Sequence, residues 1–239
     1  MAVHAIVTGG GSGARMKNRV NKSFILLRGK PIVSYCLQVF QNHPQISTIT
    51  ITMHPEWVKE TMKWVNQFGF TKVKQVVEGG KERQDSVRNG LHSLSAVNVR
   101  PEDIVLVHNA ANPFITPALI TECIRATELH KASVAAYRIK DTIKRVQEDG
   151  KIIETLTRSE LWGMQTPQCS TYELFLRAHE KAHKENFLGT DDVQLVERLG
   201  IQPVVVDCGY ENIKITTPED IHAAEATIER RKAEENENT

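Results

Sequence analysis

The chain has 239 residues, which is long enough for one large α/β domain with its own hydrophobic core. Its 30 Lys and Arg residues nearly balance its 29 Asp and Glu residues, which argues against nucleic acid or an anionic membrane surface as a partner. No apolar run has the length of a membrane span. The scattered cysteines Cys36, Cys123, Cys169 and Cys208 predict reduced thiols and a cytoplasmic protein.

Apolar, β-prone runs alternate with amphipathic stretches along the chain. The pattern predicts strands at 4–8, 47–53, 72–77, 103–108, 132–139 and 202–208. It predicts helices near 31–43, 56–67, 82–95, 117–130, 171–185, 191–199 and 218–234. This alternation indicates an α/β fold with a Rossmann-like, mostly parallel sheet and helices on both faces. Ligands of such folds bind beyond the carboxyl ends of the strands.

One segment, at about 140–158, departs from this alternation. Two β-prone stretches flank the turn sequence "EDG", which predicts an inserted β-hairpin arm. Such an arm either reaches a partner subunit or forms a surface flap. We expect one domain over 1–228, followed by a charged tail over 229–239 that forms a fraying helix end.

A glycine-rich loop, "TGGGSGARM", follows the first predicted strand. Gly9, Gly11 and Ala14 fit the loose G-x-G-x-x-A pattern of dinucleotide-binding folds. That fold also needs an acidic residue about 20 residues further on to bind the ribose. No Asp or Glu precedes Glu56, so the pattern does not predict an NAD site.

A Walker-type P-loop is excluded as well, because Gly13 is followed by alanine and arginine instead of Lys-Ser or Lys-Thr. Residues 1–55 contain six Lys and Arg residues and no carboxylate, although the whole chain is balanced in charge. Backbone N–H groups of a glycine loop can hold phosphate oxygens, and nearby cations can neutralise their charge. The loop therefore predicts a polyanionic ligand such as a nucleoside triphosphate.

Six motifs, in order along nearly the whole chain, carry a family resemblance. They are "AIVTGGGSGARM", "VEGGKERQDSVRNGL", "LVHNAANPFI", "DTIKR", "LWGMQTPQ" and "ENIKITTPEDI". Together they resemble the 2-C-methyl-D-erythritol 4-phosphate cytidylyltransferase family. The resemblance implies transfer of CMP from CTP to a polyol phosphate in isoprenoid precursor synthesis, with release of pyrophosphate. It also implies Mg²⁺ bound through the CTP phosphates, with no certain protein ligand.

The resemblance assigns roles to individual residues. The catalytic residues would be Arg15 and Lys22, which would stabilise the α-phosphate and the leaving pyrophosphate. The nucleotide-binding residues would be Gly9, Gly10, Gly11, Gly13, Gly79, Gly80, Arg83, Ser86 and Ala110. The acceptor-binding residues would be Asn109, Asn112, Thr142, Arg158 and Lys214. Thr142 and Arg158 lie on the predicted arm, so they would act in the neighbouring subunit of a homodimer. Ser86 is equally consistent with a helix cap.

Three positions depart from the family motifs. Asn109 stands where the family has Asp, Asn112 where it has Arg, and Lys81 where an acidic residue is usual. An amide keeps hydrogen-bonding capacity but has no charge. The acceptor therefore stays open between methylerythritol phosphate and another polyol phosphate such as ribitol 5-phosphate. A paralogue that binds the nucleotide without turnover is the third alternative.

Two acidic or metal-binding patterns have more than one interpretation. Asp191 and Asp192 either supply carboxylate near the site or act as charges at a helix N-terminus. "HEKAH" places His179 and His183 in the H-E-x-x-H pattern of zinc proteases. The chain offers no clear third zinc ligand, so we expect both to be exposed histidines on a charged helix end.

Overall fold

The computed structural model describes residues 1–10 and 21–237. Its central sheet has seven strands in the order β11-β7-β10-β6-β1-β4-β5. Their bounds are β1 Val3–Gly9, β4 Thr48–Met53, β5 Val73–Glu78, β6 Ile104–Asn109, β7 Ala132–Arg138, β10 Trp162–Thr171 and β11 Val204–Asp207. Two small antiparallel pairs lie outside this sheet: β2 Leu26–Leu27 with β3 Lys30–Pro31, and β8 Lys144–Val146 with β9 Ile152–Thr155.

The described residues form seven α-helices. They are α1 Ile32–Asn42, α2 Val58–Gln67, α3 Arg83–Ser93, α4 Pro117–His130, α5 Tyr172–Lys184, α6 Asp192–Glu197 and α7 Pro218–Glu237. Short 3₁₀ helices lie at Lys22–Phe24, Pro55–Trp57, Leu94–Val97 and Arg158–Glu160. None of the helices in the described ranges is both long enough and apolar enough to span a bilayer.

Helices cover both faces of the sheet, as the strand sequences require. Strand β1 is buried along its whole length, with Ala5 and Val7 in one core cluster and Ile6 in another. The first cluster includes side chains of α1, α2 and α4, and the second includes side chains of α3, α5 and α6. A parallel strand that is buried on both faces appears in sequence as a nearly continuous apolar run. The predicted α/β fold with a mostly parallel sheet is confirmed.

The strand order places a ligand cleft beside β1. From β1 the chain moves outward through β4 to β5, and it then returns to β6 on the other side of β1. The carboxyl ends of β1 and β6 therefore separate the loops of two oppositely wound halves. Open α/β sheets bind ligands at such a switch point.

Strand β10 was not predicted, although it lies inside the sheet. It runs antiparallel to both β6 and β7, and its register shifts between Met164 and Gln168. Pro167 lies within this irregular stretch and has no N–H to donate to a ladder. The proline and the broken alternation hid the strand from a pattern-based prediction.

The sequence predicted the hairpin arm at about 140–158 and a C-terminal helix over 218–234. Strands β8 and β9 pair antiparallel within 140–158, as predicted. Helix α7 extends to Glu237, and both Arg230 and Arg231 form ion pairs with Glu211. The division into a domain over 1–228 and a tail over 229–239 stays a prediction.

His108 connects the turn after β6 to β10. Its ring is fully buried, and its Nε2 lies 2.9 Å from the carbonyl oxygen of Asn112. Because a carbonyl only accepts, Nε2 carries the proton, and Nδ1 accepts from the hydroxyl of Thr166 at 3.0 Å. Burial lowers the pKa of His108 to about 4, so the ring is neutral in the folded protein at neutral pH.

We predict that stability falls with acidification because of this histidine. Between pH 6.5 and 4 the unfolded chain binds a proton at His108 that the folded chain excludes, so unfolding becomes more favourable as the pH falls. The contribution lost between pH 7 and 5 is about 2 kcal/mol. Urea unfolding of wild type and His108→Gln at both pH values measures it, and the variant should lose less stability on acidification.

The exposed His183 provides the control for this experiment. His183→Gln should keep the full pH dependence of the wild type. An equal loss of stability in wild type and His108→Gln would contradict the prediction.

Candidate active site

A cleft of about 710 Å³ opens at the carboxyl ends of β1, β4, β5 and β6. Its described lining residues come from the ends of these strands, from the start of α3, and from the loop before α7. They are Thr8, Gly9, Gly10, Lys22, Ser23, His54, Pro55, Gly79, Gly80, Lys81, Glu82, Arg83, Ser86, Asn109, Ala111 and Lys214. Ten of these were named from the sequence alone, nine as site residues and Lys81 as a departure from the family motifs.

Glycines form one wall of the cleft because the neighbouring side chains leave no room for a Cβ. A Cβ at Gly79 would lie 2.8 Å from Ser86 Oγ, and one at Gly80 would lie 2.2 Å from Asp85 Cβ. The Ser86 hydroxyl accepts a hydrogen bond from Gly80 N at 3.0 Å and donates to Glu82 O at 3.1 Å. Ser86 therefore orders the glycine loop. It is not the helix cap, because Glu82 occupies that position.

Lys22 lines the cleft from the start of a short 3₁₀ helix. Asn21 caps this helix by accepting from Ser23 N at 3.0 Å. The Asn21 side chain also donates to Gly9 O at 2.9 Å, which ties the helix to the end of β1. Sequence reasoning did not identify Asn21, although an Asn immediately before a short helix is a recognisable cap signal.

The cleft is strongly cationic. Its described lining contains Lys22, Lys81, Arg83 and Lys214, against the single carboxylate of Glu82. A polyanionic ligand would offset the mutual repulsion of these cations. Only Lys22 comes from the basic segment 1–55, so most of the described cations of the cleft come from later parts of the chain.

A buried ion pair fixes Arg83 at the start of α3. Its Nη2 lies 2.7 Å from Asp192 Oδ2, and the Asp192 side chain is only 1% exposed. Burial raises the pKa of Asp192, but the adjacent Arg83 and His179 outweigh burial and hold that pKa well below its usual range. Of the two expected acidic residues, Asp191 caps α6 and Asp192 anchors Arg83.

The floor of the cleft contains a chain of side-chain hydrogen bonds. Arg83 Nε donates to Asn109 Oδ1 at 3.1 Å, and Asn109 Nδ2 donates to Asn112 Oδ1 at 3.2 Å. Asn112 Nδ2 then donates to Gln165 Oε1 and to Asn212 O, each at 3.1 Å. Asn109 lines the cleft, whereas Asn112 is fully buried beneath it. Ala110 is also fully buried and does not line the cleft.

Lys214 projects from a loop that is fastened to the same floor. On one side of Lys214, Asn212 Nδ2 donates to Thr166 O at 2.6 Å. On the other side, Ile215 N donates to Ala111 O at 2.8 Å. These bonds hold the Lys214 loop against the turn that follows β6.

The remaining proposed residues lie elsewhere. Thr142 and Arg158 are exposed on and beside the hairpin arm and do not line this cleft. Arg158 Nη1 donates to Lys140 O at 3.1 Å. Gly11, Gly13 and Arg15 lie outside the described residues.

The expectation that His179 is exposed is wrong. The ring is fully buried, packs edge-on against Phe175 and has Nε2 3.4 Å from Asp192 Oδ1. It lies on the inner face of the amphipathic helix α5, whereas His183 is exposed. Within the described ranges no group of three or more His, Cys, Asp or Glu side chains could hold a metal ion.

Comparison with known proteins agrees with this geometry. The family model described as 2-C-methyl-D-erythritol 4-phosphate cytidylyltransferase matches residues 3–230. A protein of that name from Geotalea uraniireducens is 45% identical over 229 residues, covering 95% of this chain and 97% of the relative. Another from Clostridium acetobutylicum is 41% identical over 227 residues, with the same two coverages.

Solved structures show the same fold. The 4-diphosphocytidyl-2C-methyl-D-erythritol synthase of Anaerococcus prevotii superposes with a TM-score of 0.82 at 28% identity, over 95% of this chain and 96% of that one. The 2-C-methyl-D-erythritol 4-phosphate cytidylyltransferase of Francisella tularensis gives 0.79 at 28% identity, over 94% and 98% of the chains. The chain therefore belongs to the 2-C-methyl-D-erythritol 4-phosphate cytidylyltransferase family and is a nucleotidyltransferase of the cytidylyltransferase class.

Proposed function

We propose that the chain transfers CMP from CTP to 2-C-methyl-D-erythritol 4-phosphate and releases pyrophosphate, a step of isoprenoid precursor synthesis. The observation that carries this proposal is the cationic, glycine-walled cleft at the switch point of the sheet. Family membership supports the choice of CTP and of the acceptor. The four cysteines are free thiols, in keeping with a cytoplasmic setting.

Different parts of the cleft suit the two ends of a nucleotide. Gly79, Gly80 and Ser86 form a narrow wall that fits the base and ribose, since a Cβ at either glycine would collide with α3. Gly9 and Gly10 at the end of β1, with Lys22 of the short 3₁₀ helix, would hold the triphosphate. The small space beside the glycines favours a pyrimidine over a purine.

The reaction needs positioning and charge stabilisation from the protein. An oxygen of the acceptor phosphate attacks the α-phosphorus of CTP, and the bond from that phosphorus to the bridging oxygen breaks. The electron pair of that bond leaves with pyrophosphate. Lys22 would neutralise the charge that grows on the α-phosphate and the leaving group, together with Arg15 from outside the described residues. Lys214 would bind the acceptor phosphate.

Magnesium is best placed on the nucleotide. Glu82 is the only carboxylate among the described lining residues, and Asn109 offers an amide where family members have a carboxylate. Mg²⁺ prefers oxygen ligands and commonly binds through substrate phosphates. These residues do not form a protein-held Mg²⁺ site, so we propose that the ion enters with CTP.

We further propose a homodimer in which the hairpin arm completes the partner's cleft. The arm exposes Val146, Ile152 and Ile153, whose exposed fractions are 49%, 63% and 53%. A second copy would remove these apolar side chains from water. Thr142 and Arg158 would then bind the acceptor in the cleft of the other subunit.

The first prediction of this proposal concerns Lys22. Lys22→Ala should lower kcat about 100-fold or more, because a cation that stabilises transition-state charge is lost. Pyrophosphate release from CTP with the methylerythritol acceptor measures the effect. Lys59→Ala, which removes an exposed lysine of α2 away from the cleft, should keep wild-type turnover.

The same assay separates the alternative functions. Turnover with ribitol 5-phosphate but not with methylerythritol phosphate would replace the proposed acceptor. Binding of CTP without pyrophosphate release from any polyol phosphate would favour a nucleotide-binding protein without turnover. Other nucleoside triphosphates in the panel test the choice of CTP, because Lys81 stands where the family has an acidic residue.

The second prediction concerns the shared cleft. Lys22→Ala and Arg158→Ala should each be inactive alone, but mixing them after subunit exchange should restore about a quarter of wild-type activity. Half of the mixed dimers are heterodimers, and each heterodimer has one site with both native residues. A mixture that stays inactive, although heterodimers form, would show that Arg158 does not act across the dimer.

A further inference from the structure

We propose that Asn109 and Asn112 act as one directional hydrogen-bonded pair that fixes the acceptor-binding loop of Lys214 relative to Arg83 on the nucleotide side. This inference rests on the proposed function and names Asn112 as a positioning residue. It replaces the earlier expectation that the Asn112 side chain contacts the acceptor, because that side chain is fully buried.

The direction of the chain is set at both ends by groups that cannot reverse. Arg83 is a guanidinium and only donates, so Asn109 must turn Oδ1 toward it. The hydroxyl of Thr8, 3.4 Å from the same Oδ1, is consistent with this orientation. At the other end Asn212 offers a backbone carbonyl, which only accepts, so Asn112 must turn Nδ2 toward it. The two amides can then meet only as Asn109 Nδ2 donating to Asn112 Oδ1.

The orientation of the two amides determines which hydrogen-bonding group Asn109 presents to a substrate in the cleft. Asn109 uses Oδ1 for Arg83 and one Nδ2 hydrogen for Asn112. The group left for the cleft is the second Nδ2 hydrogen, which binds a phosphate or hydroxyl oxygen. A carboxylate here would present an acceptor instead, which suits a metal ion or a hydroxyl donor.

The pair also connects the two halves of the site. Asn112 holds the backbone of Asn212, two residues before Lys214. Arg83 at the other end is fixed by the buried Asp192. Loss of either amide would therefore break the side-chain connection between the Lys214 loop and Arg83, while the Arg83–Asp192 ion pair and the other bonds of the loop stay in place.

An alanine cycle tests the coupling. Asn109→Ala and Asn112→Ala should each raise the KM for the acceptor about tenfold, since one lost buried hydrogen bond is worth about that factor. The double variant should also show about tenfold, because either single change already interrupts the chain between Arg83 and the Lys214 loop. The KM for CTP should stay within about threefold, because the alanine changes leave the ion pair that holds Arg83 intact. Asn66→Ala on the exposed face of α2 is the matched control and should not change either KM.

Aspartate at position 109 tests the direction itself. Asn109→Asp still accepts from Arg83 but faces the acceptor Oδ1 of Asn112, so the acceptor KM should rise about tenfold. Asn112 cannot relieve this contact by reversing its amide, because Oδ1 would then face the carbonyl of Asn212. Adding Asn112→Arg supplies donors to both neighbours and should return the acceptor KM to within about threefold of wild type.

The outcomes separate this inference from the proposed function. A rise of about a hundredfold in the acceptor KM of the double alanine variant would overturn the proposal that the two amides act as one pair. An unchanged acceptor KM in both single variants would overturn it as well. If wild type shows no turnover, the proposed function fails. The coupling between Asn109 and Asn112 is then measured by urea unfolding of the same alanine variants. Coupled amides then give a loss of stability in the double variant that is smaller than the sum of the two single losses, because their shared bond is lost only once, whereas independent amides give additive losses. The alanine cycle and this unfolding measurement do not require the larger Asn109→Asp/Asn112→Arg variant to fold.

Discussion

The geometry of the cleft depends on the ion pair between Arg83 and Asp192. Burying a carboxylate is costly unless a charged and hydrogen-bonded partner compensates for the lost hydration. The Asp192 side chain is only 1% exposed, so water supplies little of this compensation. Asp192 therefore depends on its ion pair with Arg83. Arg83 in turn bonds to Asp192 at the start of α6 and to Asn109 at the end of β6. Removing either partner would leave an uncompensated charge at the junction of three elements. The ion pair thus fixes the start of α3, beside the glycine wall, and also the Arg83 end of the amide chain.

The charge of the cleft follows from where the chain places its lysines and arginines. The whole molecule is nearly neutral, yet four described cations and one carboxylate line this cavity. Cations that line one cavity repel each other when no anion is bound. A bound triphosphate would offset that repulsion, and its stabilisation of the folded state grows with the logarithm of its concentration above the dissociation constant. Substrate binding and local order at the loop ends are therefore linked.

The sequence predicted most of the sheet, because buried parallel strands and amphipathic helices have characteristic periods. It failed at β10, where Pro167 and a register shift interrupt the pattern of an interior strand. His179 was misjudged for a different reason. Charged neighbours suggested an exposed helix end, but the residue lies on the inner face of α5, and its partner Asp192 is distant in sequence.

The motifs predicted which residues belong to the cleft, but they did not predict which side chains line it and which are buried beneath it. The glycines, Lys22 and Lys214 line the cavity, because they come directly after strands or in loops at one edge of the sheet. Asn112 belongs to the same motif as Asn109 but is buried beneath it. Three residues of separation in a tight turn are enough to move a side chain from the cleft to the floor. That difference arises from tertiary packing against β10 and the Lys214 loop, which local sequence does not encode.

The two asparagines change the site over a short range only. Relative to the family motif, one negative and one positive charge are absent from neighbouring positions, so the net charge of the floor is the same. The potential that a triphosphate feels several ångströms away therefore changes little, because a close pair of opposite charges produces a field that falls steeply with distance. Hydrogen bonding within contact distance differs more, because two neutral amides form an oriented chain where the family motif has a carboxylate and a guanidinium. If Asn109 faces the acceptor, as proposed above, selection among acceptors is the property that this exchange affects most, while Lys22, Gly79 and Gly80 keep the residue types of the family motifs.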